Sequence, residues 1–174
     1  KLTCYPYQLQ FKHPFKIAHG LRTHTPVVFV KLEHDGCKAW GEATLPPYLP
    51  ETQQTVVAFL QLFSAGLQGA EPESWAAKLE ETAGGNYAAR AALDMALWQL
   101  QAQLQQTPLT TLLGVSPQQF PLCTYTIGVS DPYGMQQKIE EAMAAGFALF
   151  KLKLNGENDA LKVEQFRSLS TLPF

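Results

Sequence analysis

The stretch LCTYTIGVSDPYGMQQKIEEAMAAGFALFKLKL, residues 122–154, decides the fold. A strand-like apolar run stands at each end, over 122–129 and 147–154, and apolar residues recur at helical spacing over 131–145 between them. Asp131 belongs to the residue types that cap helix N-termini, and proline follows it at the first helical position. The order strand, helix, strand predicts a parallel β/α unit.

The residues that follow continue the same alternation. A second helix is predicted over 158–170, and residues 171–174 have the pattern of an entry into a third strand. Two strands alone cannot form a stable parallel sheet with both faces covered. Residues 117–174 are therefore predicted to be the first two units of a repeating α/β architecture that is cut off.

The residues before this region have a different pattern. Strands are predicted over 3–10, 27–33 and 37–40, and helices over 51–65, 71–81 and 86–105. Asp35-Gly36 is a tight hairpin turn sequence, whereas 15–26 is predicted to be a loop. A connection rich in proline and glutamine follows over 116–121. We expect a first domain over 1–116, built from an antiparallel sheet plus helices.

The charge balance excludes several classes of partner. The formal net charge is -2, so no basic field exists to attract nucleic acid or an anionic membrane surface. No apolar run is long enough to span a bilayer, and the first ten residues alternate instead of forming a signal-peptide core. The cysteines, Cys4, Cys37 and Cys123, are odd in number and form no CxxC pair, which predicts free thiols. The sequence thus predicts a cytoplasmic protein with no nucleic-acid or membrane partner.

Lys151 and Lys153 are the sharpest local feature of the chain. A strand repeats every two residues, so both side chains are predicted on one face of the strand over 147–154. Two ammonium groups in partly desolvated surroundings disfavour each other's charge, which favours a general-base role. The alternative is that both side chains extend from a strand end into water.

Six segments, in order and approximate spacing, resemble the muconate-lactonizing subgroup of the enolase superfamily. They are Pro14 to Ile17, Trp40 to Ala43, Ala91 to Trp98, Pro108 to Gly114, Tyr125 to Gly128 and Phe150 to Lys153. Within that subgroup the chain most resembles the dipeptide epimerases of the L-Ala-D/L-Glu type, and the likeness covers essentially the whole chain. The resemblance implies an α+β capping domain over 1–116 and, over 117–174, the first βα units of a truncated TIM-like (β/α) barrel, an incomplete catalytic domain. In the family the strand ends of the barrel carry the chemistry.

Members of this family remove the proton α to a carboxylate that is bound to Mg²⁺. The resemblance implies that Lys153, the second lysine of a KxK motif, is the acid/base on one face of the substrate. It also implies that Lys151 lies beside it and helps to hold the substrate carboxylate. Thr126 matches a threonine that faces the substrate in the epimerases. The alternative for Thr126 is a β-branched strand residue that serves packing.

Residues 17–25 match a loop that covers the active site in the family. Arg22 is the candidate to bind a substrate carboxylate bidentately, and His24 and His19 are further candidates to line this loop. The alternative for each histidine is an ordinary surface residue. The arginine of the best-known Ala-Glu epimerases aligns nearer Gly20, so a solvated loop arginine is the alternative for Arg22.

The resemblance places the Mg²⁺ ligands on the third, fourth and fifth barrel strands and a second lysine on the sixth, all after Phe174. The acidic residues that follow the lysine pair, Glu157, Asp159 and Glu164, do not match the ligand positions. We therefore expect no metal ligands in this chain, Mg²⁺ in the complete enzyme, and no activity from the 174-residue polypeptide alone.

The predicted function is dipeptide epimerisation, a two-base 1,1-proton transfer at the α-carbon of a peptide's carboxy-terminal residue. The resemblance implies a role in cell-wall peptide metabolism and is compatible with a homo-oligomer. Muconate cycloisomerase or o-succinylbenzoate synthase chemistry is one alternative, because it shares the KxK lysines. A non-catalytic binding module is another, and its exposed strand edges would favour aggregation or dimerisation.

Overall fold

The chain is described by a computed structural model over residues 1–17, 20–67 and 69–174. It divides into two compact units, the first formed by 1–10 and 24–118 and the second by 11–23 and 119–174. In these described ranges no helix combines the length and the apolar character needed to cross a bilayer. Cys4, Cys37 and Cys123 are free thiols.

The N-terminal sheet has three strands in the order β1-β2-β3, which are β1 (Leu2–Ile17), β2 (Gly20–His34) and β3 (Cys37–Thr44). β2 and β3 pair antiparallel, with Lys31 opposite Trp40. The turn between them has positive φ at Asp35 and Gly36, 47° and 78°, as a tight hairpin turn of this sequence requires. The hairpin predicted from Asp35-Gly36 is confirmed.

The loop predicted over 15–26 is wrong. β1 continues to Ile17 and β2 begins at Gly20, so most of these residues lie in strands. β-branched residues such as Thr23 suit extended backbone. Pairing between β1 and β2 supplies hydrogen bonds that a window of sequence does not reveal. His19, a candidate from the predicted loop, lies outside the described residues.

Four helices follow in the first unit, which are α1 (Gln53–Gly66), α2 (Trp75–Glu81), α3 (Tyr87–Leu104) and α4 (Leu109–Leu112). The three long helices predicted from periodicity are present, the second of them beginning as a 3-10 turn over 72–74. Thr52 caps α1 through a capping box with Thr55. The Glu51 carboxylate accepts a hydrogen bond from the Ala88 N–H at 2.9 Å and so caps α3 from a distant part of the chain.

β3 and α3 pack closely because small residues line their contact. Ala39 and Ala43 on the strand and Ala92 on the helix are fully buried. A Cβ added at Gly41 would lie 1.8 Å from the Ala92 carbonyl oxygen, far inside van der Waals contact. Only glycine fits at this position, so two of the segments that carry the resemblance are the two sides of one packing contact.

Glutamines on α3 bond to the edge of β3. The Gln103 amide accepts from the Lys38 N–H at 3.1 Å and donates to the Lys38 carbonyl at 2.7 Å. The Gln99 amide accepts from the Trp40 N–H at 2.6 Å. An edge strand otherwise offers such groups to another chain. The glutamine-rich end of α3 therefore protects this edge of the sheet.

The second unit contains a parallel β/α unit built from β4 (Thr124–Ile127), α5 (Pro132–Ala144), β5 (Leu149–Leu152) and α6 (Asp159–Leu169). β4 and β5 pair in parallel. Asp131 caps α5 as predicted, because its carboxylate accepts from the Gly134 N–H at 2.7 Å. The Phe150 N–H donates to the Pro173 carbonyl at 3.0 Å, so the chain returns alongside β5 after α6. The predicted fold class is confirmed.

Candidate active site

Thr126 and Lys151 are register partners in the parallel pair of β4 and β5. Partners on neighbouring strands project to the same face of a sheet, and the two backbones lie about 4.8 Å apart. Thr126 is half-buried and Lys151 is exposed. The structure thus brings a candidate substrate-binding residue beside a candidate catalytic one.

Lys153 lies just beyond β5, which ends at Leu152 and not at Leu154 as predicted. Its backbone N–H still donates to the Ile127 carbonyl at 2.9 Å, so the ladder continues through this residue. A strand period of two then places its side chain on the same side as that of Lys151. Lys153 is half-buried, in contrast to the exposed Lys151.

The opposite face of the two strands is covered by helices. Ile127 and Phe150 are buried there, and the Phe150 ring centroid lies 5.4 Å from that of Phe166 on α6. Met135 and Ile139 of α5 complete the cluster. Ile127 and Phe150 therefore have a packed environment. The other face of the two strands, the lysine face, carries Thr126, Lys151 and Lys153.

The end of β1 lies next to the C-terminal end of β4. The Lys16 carbonyl accepts from the Val129 N–H at 3.0 Å, and a Cβ at Gly128 would lie 3.2 Å from that oxygen. A cavity between this part of β1 and β4 is lined by Phe15, Thr126 and Gly128 among other residues. Gly128 therefore makes room for the end of β1 beside Thr126.

Arg22 and His24 both lie on β2 and not in a loop as predicted. The Arg22 guanidinium carbon lies 5.4 Å from the centroid of the Phe11 ring, a cation–π contact between β2 and β1. Arg22 belongs to the second compact unit and His24 to the first. A role for either residue in substrate binding stays a prediction.

Asp159, Lys162 and Asn155 form a polar cluster directly after β5 that the sequence patterns did not mark as functional. The Asp159 carboxylate accepts from the backbone N–H groups of Asn155 and Gly156 at 3.2 and 2.9 Å. Lys162 Nζ lies 3.2 Å from the same carboxylate and also donates to the Asn155 side chain. Partial burial opposes ionisation, but these bonds hold the pKa of Asp159 below its ordinary value. The available signal was an Asn-Gly turn followed by aspartate at the start of a helix and lysine three residues later.

A second ionic cluster joins β1 to α5. The Glu141 carboxylate accepts from Lys12 Nζ at 2.6 Å and lies 2.8 Å from His13 Nε2. Hydrogen bonds from Lys12 and His13 lower the pKa of Glu141 from 4.5 to about 2. The cluster fixes this part of β1 to α5, beside the cavity that reaches Thr126.

Metal-binding side chains do not gather in the part of the chain that the structure describes. No group of three or more His, Cys, Asp or Glu residues there could hold a metal ion. Asp159, six residues after Lys153 in the chain, uses its carboxylate on backbone N–H groups and Lys162. The described residues therefore do not fit a Mg²⁺ site.

Residues 2–114 match the family model described as mandelate racemase / muconate lactonizing enzyme, N-terminal domain. The chain belongs to this family. Its membership confirms the resemblance to the enolase superfamily, and the chain corresponds to an N-terminal portion of the family's proteins.

Several known proteins are similar to the chain over most of its length. The L-Ala-D/L-Glu epimerase of Bacteroides thetaiotaomicron is 35% identical over 99% of the chain, which covers 45% of that protein. The L-Ala-D/L-Glu epimerase of Escherichia coli is 33% identical over 82% of the chain, covering 43% of that protein. The solved structure of a dipeptide epimerase from Cytophaga hutchinsonii, complexed with Mg and the dipeptide D-Ala-L-Val, matches 97% of the chain with a TM-score of 0.80 at 26% identity. The chain covers 48% of that structure, so it spans a little under half the length of these relatives.

Proposed function

We propose that the whole protein is a dipeptide epimerase and that this chain supplies the base for one face of the substrate. The observation that carries the proposal is the common face of Thr126, Lys151 and Lys153 at the ends of two parallel strands. Similarity to two L-Ala-D/L-Glu epimerases supports the same reaction class.

In the proposed reaction the unprotonated Lys153 Nζ accepts the α-proton of the dipeptide's carboxy-terminal residue. The C–H bond breaks, and its electron pair moves toward the substrate carboxylate. A second acid/base group on the opposite face, in its protonated form, then donates a proton to the carbon, which gives the other epimer. Lys151 places a positive charge beside the carboxylate, and the Thr126 hydroxyl offers a hydrogen bond.

We further propose that the whole protein depends on Mg²⁺, as the Mg-bound relative suggests. The described residues do not fit a metal site. The ligands are therefore assigned to sequence outside this chain, and the 174 residues alone should not epimerise a dipeptide.

The finer assignments belong to the same proposal. Arg22 and His24 contribute to substrate binding, 1–116 acts as the capping domain, and 117–174 begins the barrel. The protein acts in the cytoplasm on dipeptides from cell-wall peptides. The dipeptide L-Ala-L-Glu is the first substrate to test, because both similar epimerases are named for it.

The experiment measures epimerisation of L-Ala-L-Glu by the whole protein that contains this chain, in the wild type and in Lys153→Gln. Loss of a general base lowers a rate by about 10²–10⁴-fold, and we expect a decrease in that range. Lys38→Gln is the matched control, because Lys38 is an exposed lysine on β3. It should leave the rate within about twofold of the wild type, a change below the general-base range.

Two results would contradict the proposal. One is a Lys153→Gln protein that retains the wild-type rate. The other is a wild-type protein that epimerises no dipeptide of a substrate panel in the presence of Mg²⁺. Turnover of a muconate or succinylbenzoate precursor by that protein would instead establish the cycloisomerase or synthase alternative.

A further inference from the structure

The lysine strand, which is β5 together with Lys153, leaves the sheet directly after Lys153. Lys153 makes the last backbone hydrogen bond of the ladder, from its N–H to the Ile127 carbonyl at 2.9 Å. Two residues later, the Asn155 N–H donates to the Asp159 carboxylate at 3.2 Å. The backbone on either side of Leu154 is therefore fixed by two different partners, one in β4 and one in α6.

Asp159 makes this anchor with both carboxylate oxygens. Oδ1 accepts from Asn155, and Oδ2 accepts from the Gly156 N–H at 2.9 Å. Lys162 lies one helical turn further along α6 and bonds to Asp159, to the Asn155 side chain and to the Glu157 carbonyl. Its side chain is only 15% exposed, against 32% for Asp159. The loop after the lysine strand is thus tied to the first turn of α6 by charged groups in partly desolvated surroundings, where such bonds are strong.

The helix that carries this anchor is itself fixed to the lysine strand. Phe166 of α6 is fully buried against Phe150, which directly precedes Lys151. Asn158, the residue before α6, makes no side-chain hydrogen bond to the helix N-terminus. The charged groups at this helix start therefore act on the loop from 155 to 157, which leads directly from the lysine strand.

We propose that Asp159, held by Lys162, is a positioning residue for Lys153. By fixing the chain two residues after Lys153, Asp159 determines where Lys153 Nζ lies on the lysine face. This inference rests on the proposed epimerase function, and it assigns to Asp159 a role in the reaction without contact to substrate. Displacement of a reacting group by about 1 Å can cost about 10²-fold in rate, so loss of the anchor should be visible in catalysis.

The test uses Asp159→Asn in the whole protein. Asparagine keeps the size of the side chain but loses the charge, and its amide nitrogen cannot accept a hydrogen bond from a backbone N–H. Glu164→Gln is the matched control, since Glu164 is an exposed carboxylate on the same helix. Lys162→Gln is a second variant that weakens the same anchor from its other side.

The readout is deuterium exchange at the α-carbon in D₂O, measured by NMR at initial rate for each epimer separately. Epimerisation rates in the two directions are linked by the equilibrium constant, but exchange without inversion reports on one base at a time. Lys153→Gln first identifies the epimer whose exchange depends on Lys153. We expect Asp159→Asn and Lys162→Gln to lower exchange of that epimer by about 10- to 100-fold, while exchange of the other epimer and the control change by less than about twofold.

The outcomes separate this inference from the proposed function. No exchange of any dipeptide by the wild type removes the proposed function, and this inference with it. Normal wild-type exchange, lost for one epimer in Lys153→Gln, but lowered equally for both epimers in Asp159→Asn, overturns the positioning role alone. Unchanged exchange in both anchor variants, or loss of folded protein in both, also overturns it, because the cluster would then serve only the loop or the fold.

Discussion

Replacing Gly41 by alanine should destabilise the first unit severely, because the added methyl group would collide with the backbone of α3. The new Cβ would lie 1.8 Å from the Ala92 carbonyl oxygen and 2.7 Å from the carbonyl carbon. Non-bonded heavy atoms are normally separated by about 3.5 Å, so β3 and α3 would have to move apart by roughly 1.7 Å. The obstacle is the main chain of a helix interior, which cannot rotate away as a side chain can.

The displacement would also weaken apolar contacts in the hydrophobic cluster that contains Ala92, Leu93 and Ala96. A gap of about 0.5–1 Å already forfeits a quarter to a half of the dispersion attraction of a contact. Overpacking of a core typically costs about 1–3 kcal/mol, and a main-chain collision lies at the upper end or above it. We therefore expect Gly41→Ala to lower the free energy of unfolding by about 3 kcal/mol or more. This is a large part of the roughly 5–15 kcal/mol that stabilises a folded protein.

The measurement is urea unfolding of the whole protein followed by tryptophan fluorescence, since Trp75 is buried in the same hydrophobic cluster. Gly66→Ala is the matched control, because a Cβ added there, at the end of α1, meets nothing within 4 Å. The control should be neutral or gain up to about 1 kcal/mol, since alanine restricts the unfolded chain. A Gly41→Ala midpoint equal to that of the wild type would refute the close-contact argument.

Two further predictions concern polar contacts. Gln103→Ala removes both hydrogen bonds to the Lys38 backbone and should lower the free energy of unfolding by about 1 kcal/mol. Size-exclusion chromatography should also show more association through the β3 edge, whereas Gln101→Ala, on the same helix, should change neither property. The pKa of Glu141 is lowered from 4.5 to about 2, so its carboxylate stabilises the fold above about pH 4.5 and loses this contribution as pH falls toward 2. Unfolding midpoints of the wild type and Glu141→Gln should therefore converge on acidification, and a pH-independent difference would contradict the contact with Lys12.

The periodicity of apolar residues was sufficient to predict the helices and the strand-helix-strand order of the second unit, because burial of one face determines these elements. It was insufficient for 15–26, whose strand structure depends on pairing between β1 and β2. A strand without a continuous apolar pattern obtains its stability from pairing with a neighbouring strand, and a local window of sequence does not contain that partner.

One part of the candidate site could be predicted from the sequence, and another part could not. The common face of Lys151 and Lys153 could be predicted from their spacing, because a strand repeats every two residues. The roles of these lysines and of Thr126 in the reaction stay predictions. The anchor at Asp159 could not be predicted, because its partners are backbone N–H groups of Asn155 and Gly156. Such groups occur at every residue, and they are distinguished only when the chain turns and presents them to one carboxylate.

The apolar pattern that folds the second unit also determines which way the lysines project. Phe150 lies against Phe166 on the helix-covered face, so a shift of β5 by one residue would turn Lys151 into that apolar cluster. Burial of an ammonium group among aromatic side chains costs several kcal/mol or more, which excludes the shifted register. Lys151 therefore needs no polar anchor of its own. Lys153 stands where the strand ends and this constraint weakens. Two residues later the Asn155 N–H donates to the Asp159 carboxylate, and in our proposal this contact supplies the second constraint on Lys153.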